Sequence, residues 1–167
     1  MKILLLRHGI AEDGRSGMRD ADRALTAEGI AQLEEVAAGL AAADVRVDDL
    51  RSSPLRRAVE TARLVRKAVR FDGEARIEPD LEPDGAIDRA VALLETVART
   101  STVMLVGHLP HLSLLAAWLV GARGHAVHLK KAGLVRIDLE GKLGQGAGEL
   151  RWLLTPSWMV SRGGERR

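Results

Sequence analysis

The 167-residue chain contains no cysteine, and aromatic residues make up only 2% of it. Without thiols the protein has no disulfide, no thiolate nucleophile and no cysteine-ligated metal. With so few aromatic rings it also has no stacking platform for the bases of single-stranded nucleic acid.

A large excess of charge is missing as well, because the formal net charge is only +2. Such a small excess does not indicate a nucleic-acid partner, although the isoelectric point is about 9.4. Most basic residues of the stretch 56–70 are interpreted as a solvated helix face. Arg57 is interpreted differently, because of its place in a motif.

No apolar run is long enough to cross a membrane, since the longest covers only residues 112–120. The first apolar run ends at Arg7, too early for a signal peptide. We therefore expect a cytoplasmic protein without a membrane partner. The length predicts one domain over residues 1–158, followed by a basic tail over residues 159–167.

Patterns typical of strands and helices alternate along the chain. Continuous apolar runs at residues 3–6 and 102–106 indicate strands covered on both faces. Helices are predicted to begin after Thr26 and at Ser53-Pro54, with Thr26 and Ser53 as N-caps. The remaining predicted elements are strands at 47–52, 75–78, 135–139 and 150–154, and helices at 87–97 and 110–120. This order predicts an α/β fold with a mainly parallel sheet.

Two histidines follow the two buried strands. Arg7-His8-Gly9 comes directly after the first, and Gly107-His108 comes directly after the second. Ligands of open α/β sheets bind at the carboxyl ends of the strands, where both imidazoles are expected to meet. In Ser53-Pro54-Leu55-Arg56-Arg57, the side chain of Arg57 is expected to lean back to the helix start and reach an anion there.

These motifs resemble the histidine phosphatase superfamily, which is phosphoglycerate mutase-like in fold. The resemblance rests on Arg7-His8-Gly9, Ser53-Pro54-x-x-Arg57-Ala58-x-x-Thr61 and Gly107-His108, in that order. Asp22-Arg23-Ala24-Leu25-Thr26-x-x-Gly29 and Gly107-His108-Leu109-Pro110 are similar to the bacterial SixA-type phosphohistidine phosphatases. The resemblance implies a three-layer α/β/α sandwich with a minimal cap.

The resemblance also implies roles for the residues. His8 is expected to be the nucleophile that forms a phosphohistidine intermediate, while Arg7, Arg57 and His108 hold the phosphoryl oxygens. Arg23 and Leu109 are expected to contact the substrate. No cofactor or metal is expected, because cationic side chains neutralise the phosphoryl group.

A general acid is harder to assign. Glu82 and Asp84 are both candidates in Asp80-Leu81-Glu82-Pro83-Asp84, and we select Glu82. Leu81-Glu82-Pro83 is more similar to the Leu-x-Pro segment of phosphohistidine phosphatases than to the acid motif of other relatives. An imidazole leaving group is protonated by solvent more readily than an alkoxide, so an acid is less necessary.

The same segment favours a protein substrate. Few residues separate the strand near Ile77 from the helix near Ile87, so the resemblance implies an open site without a large cap. We expect a phosphatase for phosphohistidine on a protein of a phosphorelay or phosphotransfer system. The alternatives are a small-molecule phosphomonoesterase, a non-catalytic phosphoprotein-binding module and a nucleic-acid-binding protein. The sequence carries no signal for an oligomeric state.

The other histidines are interpreted as structural or surface residues. His108 and His111 have a spacing that occurs in metal sites, but no third ligand is evident in the sequence. His125 and His128 belong to no motif. We therefore expect no zinc site.

Overall fold

The computed structural model of the chain describes residues 1–124 and 126–160. The strands are β1 Lys2–Arg7, β2 Asp49–Ser52, β3 Arg76–Ile77, β4 Thr102–Gly107, β5 Leu134–Leu139 and β6 Gly148–Leu154. The α-helices are α1 Ala27–Ala42, α2 Arg56–Val65, α3 Ile87–Glu95, α4 His111–Val120 and α5 Pro156–Val160. Two short 3₁₀ turns, Asp20–Asp22 and Pro79–Leu81, lie in the connections.

The six strands form one sheet in the order β3-β2-β4-β1-β5-β6. The strands β3, β2, β4 and β1 run parallel, whereas β5 pairs antiparallel with β1 and β6 antiparallel with β5. The predicted parallel sheet and the predicted terminal hairpin are therefore both present. Their combination makes the sheet mixed.

Helices cover both faces of the sheet, which explains the continuous apolar sequence of its central strands. Ile3 and Leu5 of β1 pack in one core with side chains of α3 and α4. Leu4 and Leu6 pack on the opposite face with side chains of α1, α2 and α5. The architecture is the expected three-layer α/β/α sandwich.

The second helix begins later than the sequence predicts. Its first residue is Arg56 and its N-cap is Leu55, whose side chain makes no capping hydrogen bond. Ser53 is therefore not the N-cap, and Pro54 precedes the helix instead of opening it. The hydroxyl of Ser53 accepts a hydrogen bond from the Leu55 N–H (3.3 Å), before the first turn of the helix, and it also bonds Nε2 of the more distant His108 (2.8 Å).

The C-terminal end of the domain is tied to the core. Met159, which the sequence prediction places in the basic tail, is buried in α5 and packs in the core with α1 and α2. The domain core thus extends one residue beyond the predicted boundary at 158. Residues 161–167, the rest of the predicted tail, lie outside the described residues. No helix within the described ranges is long and apolar enough to cross a membrane.

The start of α1 fixes the loop that leaves β1. The Thr26 side chain accepts a hydrogen bond from the Gly29 N–H (3.0 Å), as the predicted N-cap should. The Thr26 N–H donates to the carbonyl of Ile10 (3.0 Å), which lies just after the first histidine. A Cβ atom on Gly29 would lie 2.1 Å from that carbonyl oxygen, so only glycine permits this approach.

We therefore expect Gly29→Ala to lower the free energy of unfolding by about 2 kcal/mol or more. The loss should occur although alanine ordinarily stabilises a helix by about 1 kcal/mol relative to glycine. Urea unfolding followed by circular dichroism measures the change. Gly14→Ala is the control, because a Cβ there meets no atom within 4 Å. Equal stability of the two variants would contradict the packing described for Gly29.

Candidate active site

The site is centred on two histidines that follow the paired ends of β1 and β4. Arg7 lies opposite Gly107 in the parallel register, and the His8 N–H donates to the Gly107 carbonyl (3.0 Å). The next residue after Gly107 is His108, so the two imidazoles lie side by side. Their ring centroids are 4.9 Å apart and the rings are tilted by 51°. The predicted meeting of the two histidines at one sheet edge is confirmed.

The imidazole of His8 is neutral, and its proton is on Nδ1. Its Nδ1 lies 2.7 Å from the Gly9 carbonyl, and a carbonyl only accepts, so Nδ1 carries the proton. The lone pair is then on Nε2. Burial lowers the pKa of His8 to about 4, the Gly9 hydrogen bond partly opposes this, and the charges of Arg57, Arg7 and Lys131 lower it further. His8 is therefore uncharged at pH 7.

His108 is almost completely buried, and one serine orients its ring. A hydrogen bond of 2.8 Å joins His108 Nε2 to the hydroxyl of Ser53. Burial is the main reason that the pKa of His108 is lowered to about 2, and the neighbouring His8 and Arg57 lower it further. His108 is thus also neutral while no anion is bound, and a bound anion would favour its protonation.

Ser53 is a site residue whose position the sequence reasoning missed. It directly follows β2, the neighbour of β4 in the sheet, and its N–H donates to the Val106 carbonyl (2.9 Å). This pairing sets Ser53 beside the end of β4. The signal in the sequence was a hydroxyl residue at a predicted strand end, but local rules assigned it to helix capping.

Arg57 lies in the first turn of α2, and its side chain is only 5% exposed. Its Nη1 donates to the Asp20 carbonyl and its Nη2 to the Asp20 carboxylate, both at 2.8 Å. A guanidinium has five N–H donors, so three remain for an anion. Thr61 accepts from the Gly9 N–H (3.2 Å) and donates to the Arg57 carbonyl (2.7 Å). These bonds tie α2 to the loop that carries His8.

Asp20 joins two of the predicted arginines, and the sequence reasoning did not find it. Its carboxylate binds Arg57 through one oxygen and Arg23 Nη1 through the other, again at 2.8 Å. The hydrogen bonds from Arg23 and Arg57 hold the pKa of Asp20 below its usual value of 3.8. Arg23 is therefore linked to Arg57 through this carboxylate. Nothing in the local pattern indicated a partner 37 residues away.

The other predicted residues lie around this centre in different surroundings. Glu82 follows the 3₁₀ turn Pro79–Leu81, and the Leu81 carbonyl lies 3.2 Å from where a Cβ on Gly107 would stand. Glu82 is thus near the end of β4. Leu109 is half-buried and packs on the core beneath α3 and α4. Arg56 is exposed and pairs with Glu60 at 2.7 Å, as the prediction of a solvated side chain requires.

His111 is the first residue of α4 and is buried, in agreement with its structural interpretation. Burial lowers its pKa. Across residues 1–124 and 126–160, no group of three or more histidine, aspartate and glutamate side chains is placed to hold a metal ion. His128 is exposed, and His125 lies outside the described residues.

The neutral state of His8 can be tested by titration. We expect the NMR signals of its ring nitrogens to titrate with a midpoint near pH 4, because burial opposes the charged form. An unperturbed imidazole titrates near 6.5, so the unfolded chain binds this proton first. The fold should therefore lose stability as the pH falls from about 6.5 through 4. His8→Asn assigns the signal, and a midpoint at 6.5 or above would refute the description.

The link between Asp20 and Arg57 should appear in stability. We expect Asp20→Asn to lower the free energy of unfolding by about 1 kcal/mol at pH 7, because the exposed carboxylate is screened but Arg57 is buried. The pKa of Asp20 is lowered in the fold, so this contribution is present above pH 4 and disappears as the pH falls further.

Asp22→Asn provides the matched control, because Asp22 pairs with the exposed Arg19 on the same turn. We expect this change to leave the free energy of unfolding nearly unaltered, because solvent screens an exposed ion pair. Chemical denaturation of both variants between pH 3 and pH 7 makes the comparison. A loss that is equal in the two variants would show that the Arg57 contact contributes nothing.

Comparison with known proteins places the chain in a family. The family model described as histidine phosphatase superfamily (branch 1) matches residues 3–82. An uncharacterized protein of Picosynechococcus sp. is 32% identical over 96% of this chain and 99% of its own. The phosphohistidine phosphatase SixA of Escherichia coli K12 is 25% identical over 93% of this chain and 94% of its own.

Solved structures agree with this placement. The protein histidine phosphatase SixA in complex with tungstate superposes with a TM-score of 0.81 at 25% identity, covering 94% of this chain and 98% of that one. The alpha-ribazole phosphatase of Shigella flexneri shares the fold, with a TM-score of 0.74 at 24% identity over 93% and 97% of the two chains. By its sequence and its fold, the chain belongs to the histidine phosphatase superfamily and is a homologue of SixA.

Proposed function

We propose that the protein hydrolyses phosphohistidine on a partner protein, through a covalent phosphohistidine intermediate on His8. The observation that carries the proposal is the state of His8, a buried and neutral imidazole. Its Nδ1–H donates a hydrogen bond to the Gly9 carbonyl, which leaves the lone pair on Nε2. A neutral nitrogen flanked by arginines is suited to attack on a phosphoryl group.

In the first step, Nε2 of His8 forms a bond to phosphorus while the bond from phosphorus to the substrate nitrogen breaks. The electron pair of that bond leaves with the substrate imidazole, which takes a proton from solvent or keeps one on its other nitrogen. Water then attacks the phosphoryl group on His8, releases inorganic phosphate and restores the neutral ring. Each step conserves the phosphoryl group and needs no metal or redox partner.

Three cationic or donor groups stabilise the charge on the phosphoryl oxygens. Arg57 has three N–H groups left after binding Asp20, and Arg7 contributes a second guanidinium whose charge acts on His8. His108 is neutral in the structure, and the charge of a phosphoryl group would raise its pKa and make it a stronger donor. Removing one such donor from an active site typically costs a factor of about 10² to 10³ in rate.

A protein substrate is supported by the short connection between β3 and α3. Residues 78–86 fold back on themselves, and a Cβ on Gly85 would lie 2.5 Å from the Asp80 carbonyl. This compact segment lies beside the end of β4 and contains no helix that could close over a small ligand. An open site is suited to a phosphorylated side chain that projects from another protein. The likeness to SixA in sequence and fold supports the same substrate class.

A small-molecule phosphomonoesterase is the second candidate. The observation that favours it is the position of Glu82 near the end of β4, where a carboxyl group could protonate an alkoxide leaving group. In that case hydrolysis of phosphoesters should depend strongly on Glu82. Hydrolysis of phosphohistidine should not, because the imidazole nitrogen is the easier leaving group.

The decisive experiment uses a phosphotransfer domain carrying ³²P-phosphohistidine. We expect brief incubation and alkaline quenching to leave label on His8, since phosphohistidine survives alkali, and acid treatment of the same sample to remove it. His8→Ala should abolish the trapped label and should slow phosphate release by at least about 10³-fold. Thermal unfolding of the variant checks that it is folded.

Two results would overturn the proposal. The first is normal dephosphorylation by His8→Ala. The second is rapid phosphate release from small phosphoesters, sensitive to Glu82→Gln, with the phosphohistidine domain left untouched.

A further inference from the structure

A second cationic site adjoins the catalytic cluster on the same edge of the sheet. Beyond Arg7, on the side away from Arg57, lies a cavity of about 440 Å³. Its walls come from the segment before β5, the segment after β6, and residues that follow β1 and lie on α1. Because β5 runs antiparallel to β1 and β6 runs antiparallel to β5, the start of β5 and the end of β6 lie at the carboxyl end of β1.

The walls of this cavity are basic. Arg7, Lys130 and Lys131 contribute three permanent positive charges, and His128 adds an imidazole. The other lining residues are neutral, so no aspartate or glutamate lines the cavity among the described residues. In a chain with 23 acidic residues, this arrangement leaves a local positive potential that the neighbouring side chains do not neutralise.

The two lysines are held in a fixed relation to the nucleophile. The Ala132 N–H donates to the His8 carbonyl (3.1 Å), and the Gly133 N–H donates to the Lys130 carbonyl (2.8 Å). The Gly133 carbonyl in turn accepts from the Arg7 N–H (3.0 Å). The lysine segment, residues 130–133, is therefore hydrogen-bonded to the backbone of Arg7 and His8. The charge of Lys131 reaches His8, since it contributes to lowering the pKa of that imidazole.

Arg7 belongs to both sites. Its Nη1 donates to the Leu129 carbonyl (2.9 Å), which turns the guanidinium toward the lysine segment. Its Nε is buried, and within the described residues it has no hydrogen-bond partner. A buried donor without a partner is costly, and an anion at the boundary of the two sites would satisfy it.

We propose that this cavity binds carboxylate side chains that flank the phosphohistidine on the partner protein. The inference rests on the function proposed above and specifies the partner: the phosphorylated histidine lies beside acidic residues. Charge complementarity carries the choice, because three fixed cations next to the reacting group favour a substrate with negative charge next to its phosphoryl group. The interaction is largely exposed and should weaken as the salt concentration rises.

Two synthetic phosphohistidine peptides test the proposal. One carries two glutamates on each side of the phosphohistidine and the other carries glutamines at the same positions. We expect kcat/KM at low ionic strength to be about tenfold higher for the glutamate peptide, as expected for a few exposed charge pairs. The preference should decline toward unity at high salt.

Lys130→Glu and Lys142→Glu form the matched pair of variants. Lys130 lines the cavity, whereas Lys142 lies in the turn between β5 and β6, at the opposite end of these two strands. We expect Lys130→Glu to abolish the preference for the glutamate peptide and to leave hydrolysis of the glutamine peptide within twofold. Lys142→Glu should retain the preference. Lys131 is left intact because its charge acts on His8.

The outcomes separate this inference from the function on which it rests. Equal kcat/KM for the two peptides, a preference that survives Lys130→Glu, or an equal loss in both variants would overturn the acidic-partner site while leaving phosphohistidine hydrolysis in place. Hydrolysis of neither peptide by the wild-type protein, with small phosphoesters still cleaved, would overturn both.

Discussion

The parallel pairing of β1 with β4 is the constraint on which the site depends. Its register places Arg7 opposite Gly107, and the hydrogen bond from the His8 N–H to the Gly107 carbonyl extends the ladder one residue beyond the strands. The next side chain on each strand is a histidine. Both strands are covered by helices, so the imidazoles emerge from a rigid, apolar support at a spacing that the backbone sets. A shift of one residue in this register would turn one histidine into the core.

Burial and positive charge act together on this pair. Desolvation alone favours neutral imidazoles, and the neighbouring guanidiniums strengthen the effect. The opposing charge comes from Asp20, which accepts hydrogen bonds from Nη1 and Nη2 of Arg57 and raises the pKa of His108. The site is thus rich in hydrogen-bond donors, and its two imidazoles are neutral. An exposed imidazole gains a proton too easily near neutral pH, so exposed histidines would not stay neutral.

Much of this arrangement could be predicted from the sequence. The runs at residues 3–6 and 102–106 indicate buried strands because short, nearly continuous apolar runs are typical of strands covered on both faces. The histidines that follow them, the Thr26 cap and the terminal hairpin are local consequences of such patterns. The strands predicted from these patterns therefore place the two histidines together.

The partners of these residues could not be predicted in the same way. Ser53 satisfies a local rule for helix capping, but its hydroxyl binds His108, 55 residues away. Asp20 lies in a polar loop whose sequence does not show that it closes on Arg57. Both contacts depend on the order of strands in the sheet, which no local pattern encodes. The lysines before β5 join the site for the same reason, since β5 pairs with β1.

Two hydrogen bonds hold the backbone of His8. Its N–H donates to the Gly107 carbonyl, and its carbonyl accepts from the Ala132 N–H. Such a nucleophile is stationary, so in the proposed reaction phosphorus is the atom that travels, along the line from the departing nitrogen to Nε2. Water must later enter along that same line from the opposite end. In the proposed reaction the dephosphorylated partner would lie across that approach, so hydrolysis would follow its departure. Two successive inversions would return phosphorus to its original handedness.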